Sequence, residues 1–182
     1  MQASTEVAKD ALRAHLRAAR SAMPDAARDQ ARAAVREAVV SRVTADGWRC
    51  VAAYVPFRSE PGSRELLETL AALGVRLLVP VTLPDRDLDW APWSEGGLGP
   101  PLGRDAIASA DLVLVPALAV ARDGTRLGRG GGSYDRALQR CRAGTPIAAL
   151  LFAGEFVDSL PRAAWDRSVT AVVTPGGWQS LE

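Results

Sequence analysis

Short, uninterrupted apolar segments recur along this chain and are separated by helical patterns. The clearest is Asp-Leu-Val-Leu-Val-Pro at 111–116, where consecutive rather than alternate positions are apolar. Strands of this kind are buried on both faces, which is typical of a parallel sheet covered by helices. The pattern predicts one α/β domain over residues 1–182, with a mostly parallel sheet and helices on both faces. Further strands are predicted at 50–55, 76–81, 147–152, 169–174 and 88–93, the last as an edge strand because Pro92 cannot donate to a ladder.

A pair of helices is predicted at the N-terminus, over 5–22 and from Pro24 to about Ala45. Apolar residues recur at helical spacing in both, and proline suits the first turn of the second helix. In the first helix, three basic residues four positions apart share one polar face: Lys9, Arg13 and Arg17. Two later helices are predicted, one opened by Ser63 and closed by Gly74, the other over 133–142.

Composition excludes several classes of function. The formal net charge of +1 provides no basic field for a nucleic-acid partner. No segment has the ~20 apolar residues that a membrane span needs. The N-terminus lacks the apolar run of a secretory signal, so a cytoplasmic protein is expected, working as a monomer. Cys50 and Cys141 show no metal-ligand spacing and are expected to be free thiols.

A glycine-rich loop before the helix at 133–142 is the strongest candidate for a binding site. Its glycines let the backbone approach a ligand closely, and the helix start directs free N–H groups and a positive dipole end into the loop. Arg126 and Arg129 add bidentate geometry for phosphate oxygens. The spacing is neither GxGxxG nor GxxxxGK[ST]. The residues favour an anion, with a nucleotide phosphate first, over a structural turn. The glycines are Gly128, Gly130, Gly131 and Gly132.

Segments spread in order along nearly the whole chain resemble the 5-formyltetrahydrofolate cyclo-ligases, also called 5,10-methenyltetrahydrofolate synthetases. The glycine loop and its flanks carry the strongest part of the likeness. The segments are Lys9-Asp-Ala-Leu-Arg13, Tyr54-Val-Pro-Phe-Arg-Ser-Glu60 with Leu78-Val-Pro-Val81, Val115-Pro-Ala-Leu-Ala119 with the run 123–136, and Leu160-Pro-Arg-Ala-Ala-Trp-Asp166 with the run 169–174. The resemblance implies a three-layer fold like that of sugar-phosphate isomerases and CoA transferases.

The resemblance also implies a reaction and its partners. Members of this family convert 5-formyltetrahydrofolate and ATP to 5,10-methenyltetrahydrofolate, ADP and phosphate, with Mg²⁺. The formyl oxygen is expected to attack the γ-phosphate, and N10 of the folate to close on the phosphorylated intermediate. Such chemistry needs positioning and charge neutralisation more than covalent help from the protein. The expected partners are therefore two small molecules, a reduced folate and ATP.

Roles for individual residues follow from the resemblance alone. Asp135 and Asp166 are expected to hold Mg²⁺. Val55, Glu60 and Tyr134 are expected to contact the folate. Arg129 and Tyr134 are the expected catalytic residues. The expected ATP-binding residues are Lys9, Arg13, Arg126, Gly128, Arg129, Gly130, Gly131, Gly132, Ser133 and Tyr134.

Some positions depart from the family pattern. Ser133 stands where a first tyrosine is usual, Trp165 replaces a histidine and Glu155 a glutamine. These departures leave open a paralogue that binds nucleotide or folate without turnover. A sugar-phosphate isomerase or acyl-CoA transferase is a second alternative, and Glu60 would be its candidate nucleophile. His15, Trp90 and Trp93 are interpreted as surface or packing residues.

Overall fold

The computed structural model of the chain describes the backbone of residues 2–181 and the side chains from residue 5 to residue 181. Short 3₁₀ helices lie at Arg104–Ser109 and Leu138–Arg140. None of the described helices is long and apolar enough to cross a membrane. The α-helices are α1 (Gln2–Ala22), α2 (Asp25–Asp46), α3 (Arg64–Ala72) and α4 (Ser133–Ala137). The strands are β1 (Cys50–Ala52), β2 (Arg76–Thr82), β3 (Leu88–Ser94), β4 (Gly97–Leu98), β5 (Leu112–Pro116), β6 (Ala119–Ala121), β7 (Arg126–Leu127), β8 (Ile147–Leu150), β9 (Phe156–Val157), β10 (Ala171–Thr174) and β11 (Gly177–Ser180).

An eight-stranded sheet in the order β11-β10-β8-β5-β1-β2-β3-β4 forms the centre of the fold. The five central strands, β10, β8, β5, β1 and β2, are parallel to one another. The pairs β11–β10, β2–β3 and β3–β4, at the two ends of the sheet, are antiparallel. The predicted α/β class with a mostly parallel sheet is therefore confirmed.

The prediction that 88–93 is an edge strand is wrong, because β3 lies between β2 and the two-residue β4. Pro92 accepts a hydrogen bond from the Gly99 N–H at 2.8 Å. In an antiparallel strand the N and the C=O of one residue face the same neighbour. The missing N–H of Pro92 therefore faces the short β4 side and leaves the β2–β3 ladder intact.

Two apolar layers cover the faces of the sheet. Helices α2 and α3 pack on one face, with Val39 and Leu70 fully buried against strand residues such as Leu77. The other face packs against the two 3₁₀ helices, α4 and Val120 of β6. Trp90 is fully buried in this second layer and Trp93 is buried in the first, so the packing interpretation of both is confirmed.

Several short elements differ from their predicted bounds. The helix expected over 133–142 is α-helical only to Ala137 and then tightens into 3₁₀ geometry, as last turns often do. Strand β1 ends at Ala52 rather than 55, although the Ala53 N–H still donates to the Leu78 carbonyl of β2 at 2.8 Å. A second sheet, in the order β7-β6-β9, was not predicted, because strands of two or three residues are too short to show a period.

Helix α1 lies across this second sheet. Leu12 and Leu16 pack against Leu118 and Leu127. Since β7 leads directly into the glycine-rich loop, this packing sets the polar face of α1 beside that loop.

Asp87, at the turn between β2 and β3, is a buried anion held by two arginines. Arg140 donates to its two carboxylate oxygens at 3.0 and 2.6 Å, and Arg104 donates at 3.0 Å. The Arg140 hydrogen bonds lower the pKa of Asp87 to about 2, although burial opposes the shift. A carboxylate with a lowered pKa stabilises the folded state above its unfolded pKa, and this contribution is lost as pH falls through the folded value.

Acid should therefore weaken the fold through Asp87. We expect the free energy of unfolding to fall by about 2 kcal/mol between roughly pH 4 and pH 2 on account of this group. Urea denaturation across that range measures the effect, and Asp87→Asn should lack this part of it. Equal acid sensitivity in the two proteins would contradict the assignment.

Candidate active site

A cavity of about 670 Å³ opens at the carboxyl ends of β1, β2 and β5. In parallel α/β sheets this edge is the usual place for a ligand. The glycine-rich loop, the polar face of α1 and the segment after β1 form its walls. Every residue predicted for the site lines it: Lys9, Arg13, Val55, Glu60, Arg126, Gly128, Arg129, Gly130, Gly131, Gly132, Ser133, Tyr134, Asp135 and Asp166.

The glycine-rich loop is fastened to α1 by arginines. Arg13 Nε donates to the Gly128 carbonyl at 3.1 Å, and Arg17 Nη2 donates to the Arg129 carbonyl at 3.3 Å. Gly130 has a φ of 100°, and a Cβ there would lie 3.4 Å from the Arg13 guanidinium carbon. Glycine is therefore favoured at 130 by its backbone conformation, while a Cβ would meet the Arg13 guanidinium only at an ordinary contact distance.

The dipole of helix α4 contributes less to this loop than the sequence predicts. Helix α4 has five residues, and Gly132 occupies its N-cap without a side-chain cap. So short a helix sums few peptide dipoles. The arginines and backbone amides of the loop are therefore the groups that an anion would meet here, more than a helix dipole.

Lys9 is buried at the cavity wall, with 4% of its surface exposed. Its Nζ lies 2.5 Å from Asp166 Oδ2, which also accepts the Ala163 N–H at 2.8 Å. An ammonium held in this way by one carboxylate oxygen is fixed in position rather than free in solvent. Lys9 is therefore not an exposed charge on the helix face.

The two predicted metal ligands lie beside each other. Asp135 Oδ1 accepts from Arg126 Nη2 at 3.1 Å and from the Arg167 N–H at 3.1 Å, which sets it against the peptide that follows Asp166. In the described part of the chain, no three His, Cys, Asp or Glu side chains gather as a metal site. Two carboxylates fit a Mg²⁺ ion that takes its other oxygens from phosphate and water.

Glu60 faces the glycine-rich loop from the segment after β1. Its Oε2 accepts the Phe57 N–H at 2.7 Å, and its Oε1 lies 3.0 Å from Arg129 Nη2. The Arg129 guanidinium also lies over the Phe57 ring, 4.4 Å from its centroid. Arg129 and Glu60, which were predicted to contact different substrates, thus form an ion pair with each other.

Tyr134 lines the cavity, and its hydroxyl is buried. Burial raises the pKa of this phenol well above its usual range, Arg126 opposes the shift, and Glu60 adds to it. Among the described residues its hydroxyl has no hydrogen-bond partner. A buried donor without a partner is costly, so a ligand atom that reached this hydroxyl would relieve that cost.

The model of the 5-formyltetrahydrofolate cyclo-ligase family matches residues 5–175 of this chain. The chain belongs to this family. A 5-formyltetrahydrofolate cyclo-ligase of Mycolicibacterium smegmatis is 40% identical over an alignment of 183 positions that covers 92% of this chain and 93% of that one. The Escherichia coli cyclo-ligase is 33% identical over 140 residues, 69% of this chain and 77% of the other.

Solved structures of 5,10-methenyltetrahydrofolate synthetases share the fold. The protein from Mycoplasma pneumoniae superposes with a TM-score of 0.79 at 21% identity, over 92% of this chain and 98% of that one. The protein from Aquifex aeolicus superposes with a TM-score of 0.74 at 22% identity, over 96% and 93% of the two chains. The cyclo-ligase resemblance seen in the sequence and the fold that it implies are both confirmed.

Eleven residues that line the cavity were not predicted for the site, and Glu6, Tyr54, Phe57 and Trp165 are among them. Tyr54 directly follows the end of a parallel strand, a position that could have marked it. Trp165 is 57% exposed and stands next to Asp166, so this departure from the family pattern lies in the cavity wall. No signal in the sequence pointed to Glu6.

The cysteines and the histidine, residue types that often take part in catalysis, lie outside the cavity. Cys50 and Cys141 are free thiols, as predicted. Burial raises the pKa of the Cys141 thiol to about 11, which keeps it protonated and unreactive at neutral pH. His15 is exposed on α1, in agreement with its interpretation as a surface residue.

Proposed function

We propose that this member of the family converts 5-formyltetrahydrofolate to 5,10-methenyltetrahydrofolate at the expense of ATP, releasing ADP and phosphate. One observation carries the proposal: a single cavity joins a cationic, glycine-rich wall, two adjacent carboxylates and a buried glutamate. The first suits phosphates, the second Mg²⁺ and the third the N–H groups of a pterin. We further propose that the protein acts in the cytoplasm as a monomer, with reduced folate and ATP as partners and no nucleic acid.

The phosphate side of the cavity is formed by α1 and the glycine-rich loop. Lys9 and Arg13 would contact the phosphates from the helix, and Arg126 with the amides of 128–134 would surround them. Charge placed beforehand around a transferring phosphoryl group stabilises the transition state without reorganisation. Asp135 and Asp166 would hold Mg²⁺, which when bound neutralises charge on the phosphate oxygens.

The folate side is formed by the segment after β1 and by Tyr134. Glu60 would accept N–H bonds from the pterin, and the backbone at Val55 would add a further contact. Tyr134, held neutral by its burial, would donate to the substrate near its formyl group. Arg129 would neutralise charge on the transferring phosphoryl group.

The reaction itself then proceeds in two steps. The formyl oxygen attacks the γ-phosphorus, an O–P bond forms, and the bond from that phosphorus to ADP breaks. The N10 amine next attacks the activated formyl carbon and loses its proton. Phosphate departs with the former formyl oxygen, and the five-membered ring is closed. Holding these groups in line in a walled cavity is the main contribution of the protein.

A steady-state assay tests the proposal. Purified protein with 5-formyltetrahydrofolate, ATP and Mg²⁺ should produce the absorbance of the methenyl product. Folded protein that gives no such signal would support the alternative of a binding paralogue without turnover. Product formed equally well without ATP would instead favour an isomerase-like or transferase-like chemistry.

Lys9→Ala should impair the use of ATP more than the use of folate. We expect the apparent KM for ATP to rise about tenfold, because one charge-assisted contact to phosphate is lost. The KM for 5-formyltetrahydrofolate should change far less. His15→Ala, an exposed change on the same helix, is the control. Unchanged ATP kinetics in Lys9→Ala would remove Lys9 from the phosphate site.

A further inference from the structure

We infer that Trp165 binds the adenine base of ATP by stacking its indole ring on the purine. This inference rests on the proposed function and deepens it, because the phosphate and metal contacts proposed above leave the recognition of the base unassigned. It also gives a role to a position at which the chain departs from the family pattern.

The indole of Trp165 lies in the cavity wall and is open to solvent. The residue is 57% exposed, although an indole is among the largest apolar surfaces that a side chain carries. The other tryptophans are engaged in packing. Trp90 and Trp93 are buried, and Trp48 and Trp178 pack on the first apolar layer with their ring centroids 6.0 Å apart. The indole of Trp165 therefore offers free apolar surface to a planar ring in the cavity.

The turn that carries Trp165 is held in place by its neighbours. The Ala163 N–H donates to Asp166 Oδ2 at 2.8 Å, and the Asp166 N–H donates to the Ala163 carbonyl at 3.2 Å. The Arg167 N–H donates to Asp135 Oδ1 at 3.1 Å. A ring whose backbone is fixed in advance loses less conformational freedom on binding a ligand.

The position of this turn favours the nucleotide over the folate. Asp166, the residue after Trp165, pairs with Lys9, so the indole belongs to the wall proposed for phosphates and Mg²⁺. A second exposed aromatic side chain of the cavity, Phe57, belongs to the segment proposed for the folate, because its N–H donates to Glu60. Each substrate thus has an exposed ring beside its own polar contacts.

Stacking on an indole suits a purine, because the two fused ring systems overlap more than an indole and a pyrimidine do. The same contact adds nothing to the binding of a bare phosphate chain. Loss of the indole should therefore penalise only those ligands that carry a base, and should narrow the preference for ATP over UTP.

Equilibrium binding in the absence of folate tests the contact without formation of methenyl product. The probes are ATP and inorganic tripolyphosphate, each with Mg²⁺. In Trp165→Ala the dissociation constant of ATP should rise about tenfold, within the range measured for base–aromatic stacking. That of tripolyphosphate should stay the same. Trp165→Phe retains a ring and should restore part of the affinity for ATP.

Tryptophan fluorescence provides an independent readout. Stacking of adenine on the indole should quench the emission of the unmodified protein, and Trp165→Phe should lack this quenching. Trp48→Phe is the matched control, because Trp48 is a half-buried tryptophan outside the cavity. It should keep both the quenching and the affinity for ATP.

Equal weakening of ATP and tripolyphosphate in Trp165→Ala would overturn the inference, because the residue would then act on the phosphate site. Weaker binding of 5-formyltetrahydrofolate with unchanged affinity for ATP would also overturn it and would assign the ring to the folate. If the unmodified protein forms methenyl product from ATP while Trp165→Ala keeps its affinity for ATP, the inference alone fails. Absence of ATP-dependent product would defeat the proposed function, and binding of ATP would still decide on the stacking contact.

Discussion

Asp135→Asn is expected to lower kcat about 100-fold, a loss comparable to that of one charge-stabilising contact in other active sites. Both hydrogen bonds described for this carboxylate are accepted by Oδ1, from Arg126 and from the Arg167 N–H. An asparagine can keep one oxygen acceptor there while it loses the charge and the second oxygen that we propose for Mg²⁺. The fold should therefore survive, and the Mg²⁺ concentration for half-maximal rate should rise.

Initial rates over a range of Mg²⁺ concentrations measure both effects. Asp158→Asn is the matched control, because Asp158 also pairs with an arginine but is 89% exposed and lies away from the cavity. It should leave the rate and the Mg²⁺ requirement unchanged. Normal turnover with a normal Mg²⁺ requirement in Asp135→Asn would exclude this carboxylate from the metal site.

Glu155→Ala is expected to destabilise the fold by about 3–5 kcal/mol, because it leaves a buried guanidinium without its partner. Glu155 accepts two hydrogen bonds from Arg20 at 2.7 Å each and the Phe152 N–H at 2.8 Å. Arg20 also donates to the Ala117 carbonyl at 2.6 Å. These bonds fasten α1 to the second sheet, so their loss should also displace Lys9 and Arg13 from the cavity.

Urea denaturation provides the measurement. The control is Glu68→Ala, since Glu68 pairs with Arg64 on the exposed face of α3 and its loss should cost about 0–1 kcal/mol. Replacing both buried partners, Arg20→Met with Glu155→Leu, should cost less than Glu155→Ala alone. If Glu155→Ala proved no more damaging than Glu68→Ala, the ion pair would have no structural role.

The parts of the fold that could be predicted are those with a strong local pattern. Consecutive apolar residues at 112–116 identified a buried parallel strand, and Val35, Val39 and Val43 showed the inward face of α2. The second sheet could not be predicted in this way. Its strands β6, β7 and β9 are held by neighbours brought together only by the tertiary fold.

The sequence predicted residues that line the cavity better than it predicted the contacts between them. Family motifs identified Lys9, Asp166, Arg129 and Glu60, and all of them line it. Their pairing was not predicted: Lys9 and Asp166 are 157 positions apart, and no local pattern records such a contact. Arg129 was assigned to ATP and Glu60 to folate, so their ion pair became visible only in three dimensions.

The most direct measurement of the central claim is the stoichiometry of a complete reaction. Purified protein is given 5-formyltetrahydrofolate, ATP and Mg²⁺, and methenyl product, ADP and phosphate are quantified together. The account predicts one ADP and one phosphate for each methenyl group formed, and no product when ATP is omitted. Methenyl product formed without consumption of ATP, or ATP consumed without methenyl product, would contradict it.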